Sequence, residues 1–182
     1  MHLHRRAFFT IAVAVPFIPK LSQAAQVELK DGLKGLSRFI GHWRGEGDGQ
    51  AGRSTVERTY EVHLGGTFLY ARNTSTYAPQ EKNPKGEIHN DVGLFSFDKA
   101  RKRTVLRQFH SEGFVNQYAS LGEALDGPEL VFETESIENI PPGFKARETY
   151  RFMGPNKFQE IFEIAEPGKA FDVYTHNRFE RA

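Results

Sequence analysis

The feature that most limits what this chain can fold into is its punctuation. After Gly41 the sequence is cut into short segments by Leu64-Gly65-Gly66, Asn83-Pro84-Lys85-Gly86, Ser111-Glu112-Gly113, Asp126-Gly127-Pro128, Pro141-Pro142-Gly143, Gly154-Pro155-Asn156 and Glu166-Pro167-Gly168. Gly supplies positive φ and Pro a preset φ, so each cluster reverses the chain cheaply. Between them lie ten stretches that read as strands: Gly41–Gly47, Thr55–Val62, Thr67–Tyr77, Ile88–Asp98, Thr104–His110, Phe114–Ser120, Glu129–Ser136, Lys145–Phe152, Lys157–Ala165 and Ala170–Glu180. Links this brief join neighbouring antiparallel strands. A flat sheet of that size would expose two edges, which closure abolishes. The expected fold is all-β, a closed antiparallel ten-stranded barrel.

Composition sharpens this. Sixteen Phe and six Tyr stand against two Met, and aromatics both favour strands and fill apolar interiors. Alternation is incomplete: Phe158, Phe162 and Ile164 share a strand face with Glu160, and Val105 and Phe109 alternate with Leu106 and His110. Polar groups among inward apolar ones suit a small barrel with a partly polar cavity better than a dry sandwich core. One segment alone has helical spacing, Leu33, Leu36, Phe39 and Ile40, with Asp31 placed as a cap. It predicts one short N-terminal helix acting as a lid or plug. The chain has no cysteine, which excludes disulfides and thiolate-rich metal sites. Near-balanced charge offers no footprint for nucleic acid.

The first 24 residues read as a signal peptide and residues 25–182 as one domain. Arg5-Arg6 precede Phe8-Phe9, a short apolar run extends from Ile11 to Ile18, and Ser22-Gln23-Ala24 supplies a small-residue cleavage site. The run is far below the ~20 residues of a membrane-spanning helix, so no stable membrane insertion is expected after cleavage. The arginine pair and Lys20 resemble a twin-arginine export signal, which implies a periplasmic location. Cleavage after Ala24 would remove Arg5, Arg6 and Lys20, taking 24 basic residues to 21 against 23 acidic ones.

Gly41-His42-Trp43-Arg44-Gly45-Glu46-Gly47 fits GxWxGxG and resembles the first strand of nitrobindins, the haem-binding branch of the calycin superfamily. Leu64-Gly65-Gly66-Thr67-Phe68-Leu69 and Gly93-Leu94-Phe95-Ser96-Phe97-Asp98 resemble a second branch, bacterial lipocalin-like proteins of unassigned function. Both imply a calycin barrel of the lipocalin and fatty-acid-binding-protein kind. In lipocalins the first-strand Trp packs under an Arg of the last strand. Trp43 with Arg178 or Arg181 would supply such a structural closure through an indole face and a guanidinium. In nitrobindins the axial His precedes a terminal basic residue on the final strand. With Arg181 as that residue, Tyr174 takes the place and His176 comes two residues later. Regular alternation would put Tyr174, His176 and Arg178 on one face. Either Tyr or His can ligate haem iron.

Among polar candidates, Arg107 to Phe114 with Asn116, Gln117 and Tyr118 reads as a hairpin turning at Gly113. Arg107, His110, Asn116 and Gln117 are its candidates for a ligand's polar end, and Arg147 is a fifth from the set Arg147-Glu148, Glu160 and Glu163. His89 with Asp91 and His110 with Gln108 alternate on single faces, but no HxH or HxxxH pair lies beyond the signal, and no metal is expected. No GxSxG elbow marks a nucleophile. Three readings stand: an exported protein holding a small apolar or amphipathic ligand; a haem protein with nitric-oxide or peroxynitrite chemistry, as the resemblance implies; or a lipocalin-like enzyme using His110 or His176 as base.

Overall fold

The computed structural model describes residues 27–182. The expected signal peptide, residues 1–24, lies outside the described residues. Ten antiparallel strands close into a barrel: β1 (Gly41–Gly49), β2 (Gly52–His63), β3 (Phe68–Tyr77), β4 (Glu87–Asp98), β5 (Arg103–His110), β6 (Val115–Ser120), β7 (Glu129–Glu138), β8 (Lys145–Phe152), β9 (Lys157–Ala165) and β10 (Asp172–Arg181). Each expected strand is present, with ends shifted by a few residues. Phe114 belongs to the connection before β6, and β10 starts at Asp172.

Each strand pairs with its neighbour in sequence, and β1 closes on β10 from Trp43 opposite Arg181 to Gly49 opposite Thr175. The glycines of the first strand make that closure possible. A Cβ at Gly45 would collide with the Arg178 carbonyl oxygen, and one at Gly47 with the Asn177 and Ser54 side chains.

The helical segment is a 3₁₀ turn, Lys34–Phe39, rather than an α-helix. Asp31 does not cap it: the N-terminal position belongs to Leu33, which makes no side-chain cap, and Asp31 pairs with Lys34 at 2.8 Å. Its role is that of a plug. Leu33, Leu36 and Phe39 are fully buried. The Phe39 ring sits 4.9 Å from Tyr60 and 4.9 Å from Phe152, and 5.4 Å edge-on from Phe158. The Trp43 indole NH donates to the Phe39 carbonyl at 2.6 Å.

Of the two basic residues expected over Trp43, Arg181 is the one there, with its guanidinium 4.3 Å from the ring centroid. It also donates to the carbonyls of Ile40 and Arg38 at 2.7 and 2.9 Å, tying the last strand to the plug. Arg178 does not close the barrel. Arg181 is opposite Trp43 in the ladder, whereas Arg178 is opposite Glu46 and lies near His176, 3.4 Å away.

Inward side chains fall into layers. Next to the plug lie aromatics and Leu69, Leu106 and Leu130. Above them is a polar belt that includes Arg58, Asn73, Asp91, Glu148, Glu160 and Asn177, all buried. Beyond the belt the barrel opens, at the end carrying the β1–β2, β3–β4, β5–β6, β7–β8 and β9–β10 connections. There β7 and β8 pair only between Glu129–Glu133 and Arg147–Arg151, and the Thr134 hydroxyl holds Ala146 at 2.8 Å in place of the ladder.

Candidate functional site

The space above the polar belt is a cavity of about 530 Å³, within the range of small-molecule sites. Its walls differ in chemistry. Ile137, Ile140 and Phe144 from the β7–β8 region, with Phe162 and Ile164 of β9, make an apolar side. His89 and Asp91 of β4, Gln108 and His110 of β5, and Glu112 of the adjoining turn make a polar one. Tyr174 and Tyr77 complete the rim.

At the cavity floor Arg58 of β2 meets Glu160 of β9 across the barrel. Its Nη1 donates to one carboxylate oxygen and its Nη2 to the other at 3.0 Å, while Nε donates to Asn73 at 3.0 Å. Asn177 donates to Glu160 at 2.8 Å. Asn73 and Gln108 donate to Asp91 at 2.8 and 3.0 Å. Burial opposes the ionised Asp91, but the His89 hydrogen bond and the Arg58 charge outweigh it and bring its carboxyl down to about 2. Glu148, hydrogen-bonded by the Tyr150 hydroxyl, goes the other way. Burial, reinforced by the Glu160 charge, lifts it to about 8, so it carries a proton at neutral pH.

The two histidines at the mouth also diverge. His89 lies 3.5 Å from Asp91 and donates through Nδ1 to Glu112 at 2.7 Å. The Asp91 bond, with help from Glu112 against desolvation, raises it to about 9. His110 is stacked 4.0 Å from Phe114, and desolvation lowers it to about 4, so it is neutral.

Of the seven residues nominated for ligand contact, His110, Asn116 and Tyr174 line the cavity. Arg107, Gln117, Arg147 and His176 do not. Arg107 is exposed on the opposite face of β5 from Gln108 and His110. Gln117 donates to Glu138 at 2.7 Å on the outer surface. Arg147 pairs with Glu133 at 3.0 Å and lies over the Phe171 ring.

The separation of Tyr174 from His176 corrects the alternation argument. The β9–β10 register shifts between Val173 and Thr175. A bulge inserts one residue and re-aims the side chains beyond it. Tyr174 therefore joins Thr175 and Asn177 on the cavity side, 5.9 Å edge-on from Phe162, while His176 faces out beside Arg178. His176 can neither ligate an interior group nor act as base on an interior ligand.

Arg58, Asn73 and Glu160 anchor the floor, yet no sequence motif marks the first two. Strand phase was the available signal for Arg58, because Ser54, Val56, Arg58 and Tyr60 form one inward row of β2. No metal-ligand spacing marks the sequence, but the fold gathers His89, His110 and Glu112 with ligand atoms within 4.8 Å of one another. Among the described residues no helix is long and apolar enough to cross a membrane.

A comparison with curated proteins returns no match. Among solved structures, Rv2717c from M. tuberculosis is similar with a TM-score of 0.67 and 20% identity, over 85% of this chain and 99% of that one. The S-type phycobiliprotein lyase CPES from Guillardia theta is similar with a TM-score of 0.50 and 13% identity, over 80% and 89% of the respective chains. At these identities the likeness is one of fold. The family described as the THAP4-like, heme-binding beta-barrel domain matches residues 32–181, from the plug to the last strand. This chain therefore belongs to the THAP4-like haem-binding β-barrel family.

Proposed function

We propose that this chain is an exported binding protein whose cavity takes a flat amphipathic ligand, with haem as the first candidate. Family membership favours haem, and the donor set is compatible with it. The observation that carries the reading is the inward turn of Tyr174 at the β10 bulge, which sets an oxygen donor beside an apolar wall. Phe162, Ile164, Ile137 and Phe144 would lie against the macrocycle, and Tyr174 would hold the iron. His110 is the weaker candidate, since Phe114 covers its ring and its nitrogens lie 3.4 Å from His89 and 3.3 Å from Asn116. When bound, haem would supply axial-ligand and redox chemistry to small gaseous or peroxidic partners. The protein's own contribution would be an apolar wall that limits water and a neutral His110 on the polar side. The arginine pair Arg5-Arg6 supports export, a route consistent with loading a cofactor before transport.

The test is a haemin titration of the purified protein followed in the Soret region. One equivalent should bind, and Tyr174→Phe should abolish or reshape the band without changing far-ultraviolet circular dichroism. A band identical in Tyr174→Phe, or no saturable binding, would remove Tyr174 as ligand or haem as cargo, respectively.

A further inference from the structure

We infer that the polar side of the cavity mouth is a binding site for a first-row divalent transition-metal ion, held by His89, His110 and Glu112. The site arises from the ladder. Asp91 is paired with His110, so His89 lies diagonally across from His110 on the same inward face. The β4–β5 ladder then continues one bond past the strand, Ser111 NH donating to the Asn90 carbonyl at 2.9 Å. That contact sets Glu112 opposite His89, and the chain turns away at Gly113, whose φ of 91° suits glycine.

Geometry and chemistry agree on the ion. His89 Nε2 and His110 Nδ1 are 3.4 Å apart, and a tetrahedron with bonds of ~2.05 Å has an edge of ~3.4 Å. The three side chains offer ligand atoms inside a 4.8 Å cluster. Glu112, which accepts from His89 Nδ1 at 2.7 Å, has to leave that bond and swing to the Nε2 side to join the ion, and His89 has to give up its Nε2 proton. Two imidazoles and a carboxylate are the ligand set of zinc and its first-row neighbours, and a poor one for magnesium or calcium. Asp91 lies 3.5 Å from His89 and adds negative charge beneath the pair, while Asn73 and Gln108 fix it.

Two further groups point to an occupant. Gln108 Oε1 and Asn116 Oδ1 line the same cavity and are buried without a hydrogen-bond partner among the described residues. Asn116 abuts His110 Nε2, the nitrogen that would carry the proton once Nδ1 binds an ion. Turning its amide over would present Oδ1 to that proton, the kind of outer contact that orients a metal-bound imidazole. Only three protein donors meet there, leaving the ion open on the cavity side, as in sites where a metal engages a ligand.

The site shares the cavity and His110 with the haem reading but not Tyr174, and one experiment separates them. Chelator-treated full-length protein would be titrated with Co²⁺, followed by its visible absorption, and with Zn²⁺ by calorimetry. One equivalent should bind, with cobalt giving the intense bands of low coordination number. His89→Ala and His110→Ala should each weaken binding at least ~100-fold, and Glu112→Gln ~10–100-fold. Tyr174→Phe should leave metal binding unchanged, because that residue belongs to the haem reading alone. Circular dichroism of each variant would establish that it is folded. Failure to bind either ion at micromolar concentration would overturn the site and leave the cluster as an ion-pair latch. Binding that survives removal of both histidines in a folded double variant would also overturn it.

Discussion

Replacing Arg58 with Met tests whether the cavity floor is a desolvated ion pair or a wetted one. Arg58 and Glu160 are only 7% and 4% exposed at their side chains. The guanidinium satisfies both Glu160 oxygens and Asn73, and lies 4.7 Å from the Phe179 ring centroid. Met is unbranched and apolar like the Arg58 stem, but it removes the guanidinium and strands the Glu160 carboxylate with the Asn177 amide, 2.8 Å away, as its remaining donor. Leaving a buried charge without its counter-ion costs ~3–5 kcal/mol, a large share of the ~5–15 kcal/mol that stabilises a typical domain. At this chain length that corresponds to a fall in Tm of roughly 6–20 °C. Adding Glu160→Gln removes the stranded charge. The double variant should recover to within ~2 kcal/mol of the parent, since replacing both members of a buried pair is often near neutral. Urea denaturation followed by the fluorescence of Trp43, the sole Trp and fully buried beside the plug, would report all members of the cycle. A cost below ~1 kcal/mol for Arg58→Met, or no rescue by Glu160→Gln, would mean that water from the cavity solvates the carboxylate and that the pair is not an anchor.

Two more outcomes are expected from other residues. Glu148 holds its proton up to about 8 in the folded protein against an ordinary 4.5, because of burial and the Glu160 charge. The folded state therefore binds more protons than the unfolded one between those values. Stability should fall as pH rises from about 4.5 to 8, by at most ~1.4 kcal/mol per pH unit from this group. Urea midpoints should show that Glu148→Gln flattens the slope, and an unchanged slope would assign it elsewhere. Export is tested by fractionation: changing both Arg5 and Arg6 to Lys should leave precursor in the cytoplasm, and undiminished export would defeat the twin-arginine reading.

The sequence by itself determined the strands, because strand and turn preferences are local. Gly and Pro clusters mark the reversals, and the residues between them have alternating or continuous apolar character whatever lies across the barrel. The same locality made the plug visible through Leu33, Leu36 and Phe39, although neither its 3₁₀ form nor the seating of Phe39 against Phe152 and Phe158. Tertiary structure decided the site. Arg58 and Glu160 are 102 positions apart and meet only once β10 has closed on β1. His89 reaches Glu112 because the ladder continues past β5 into the turn. Tyr174 and His176 read as sharing a face until one bulge separated them, since side-chain direction along a strand is set by its pairing register and a single inserted residue reverses it.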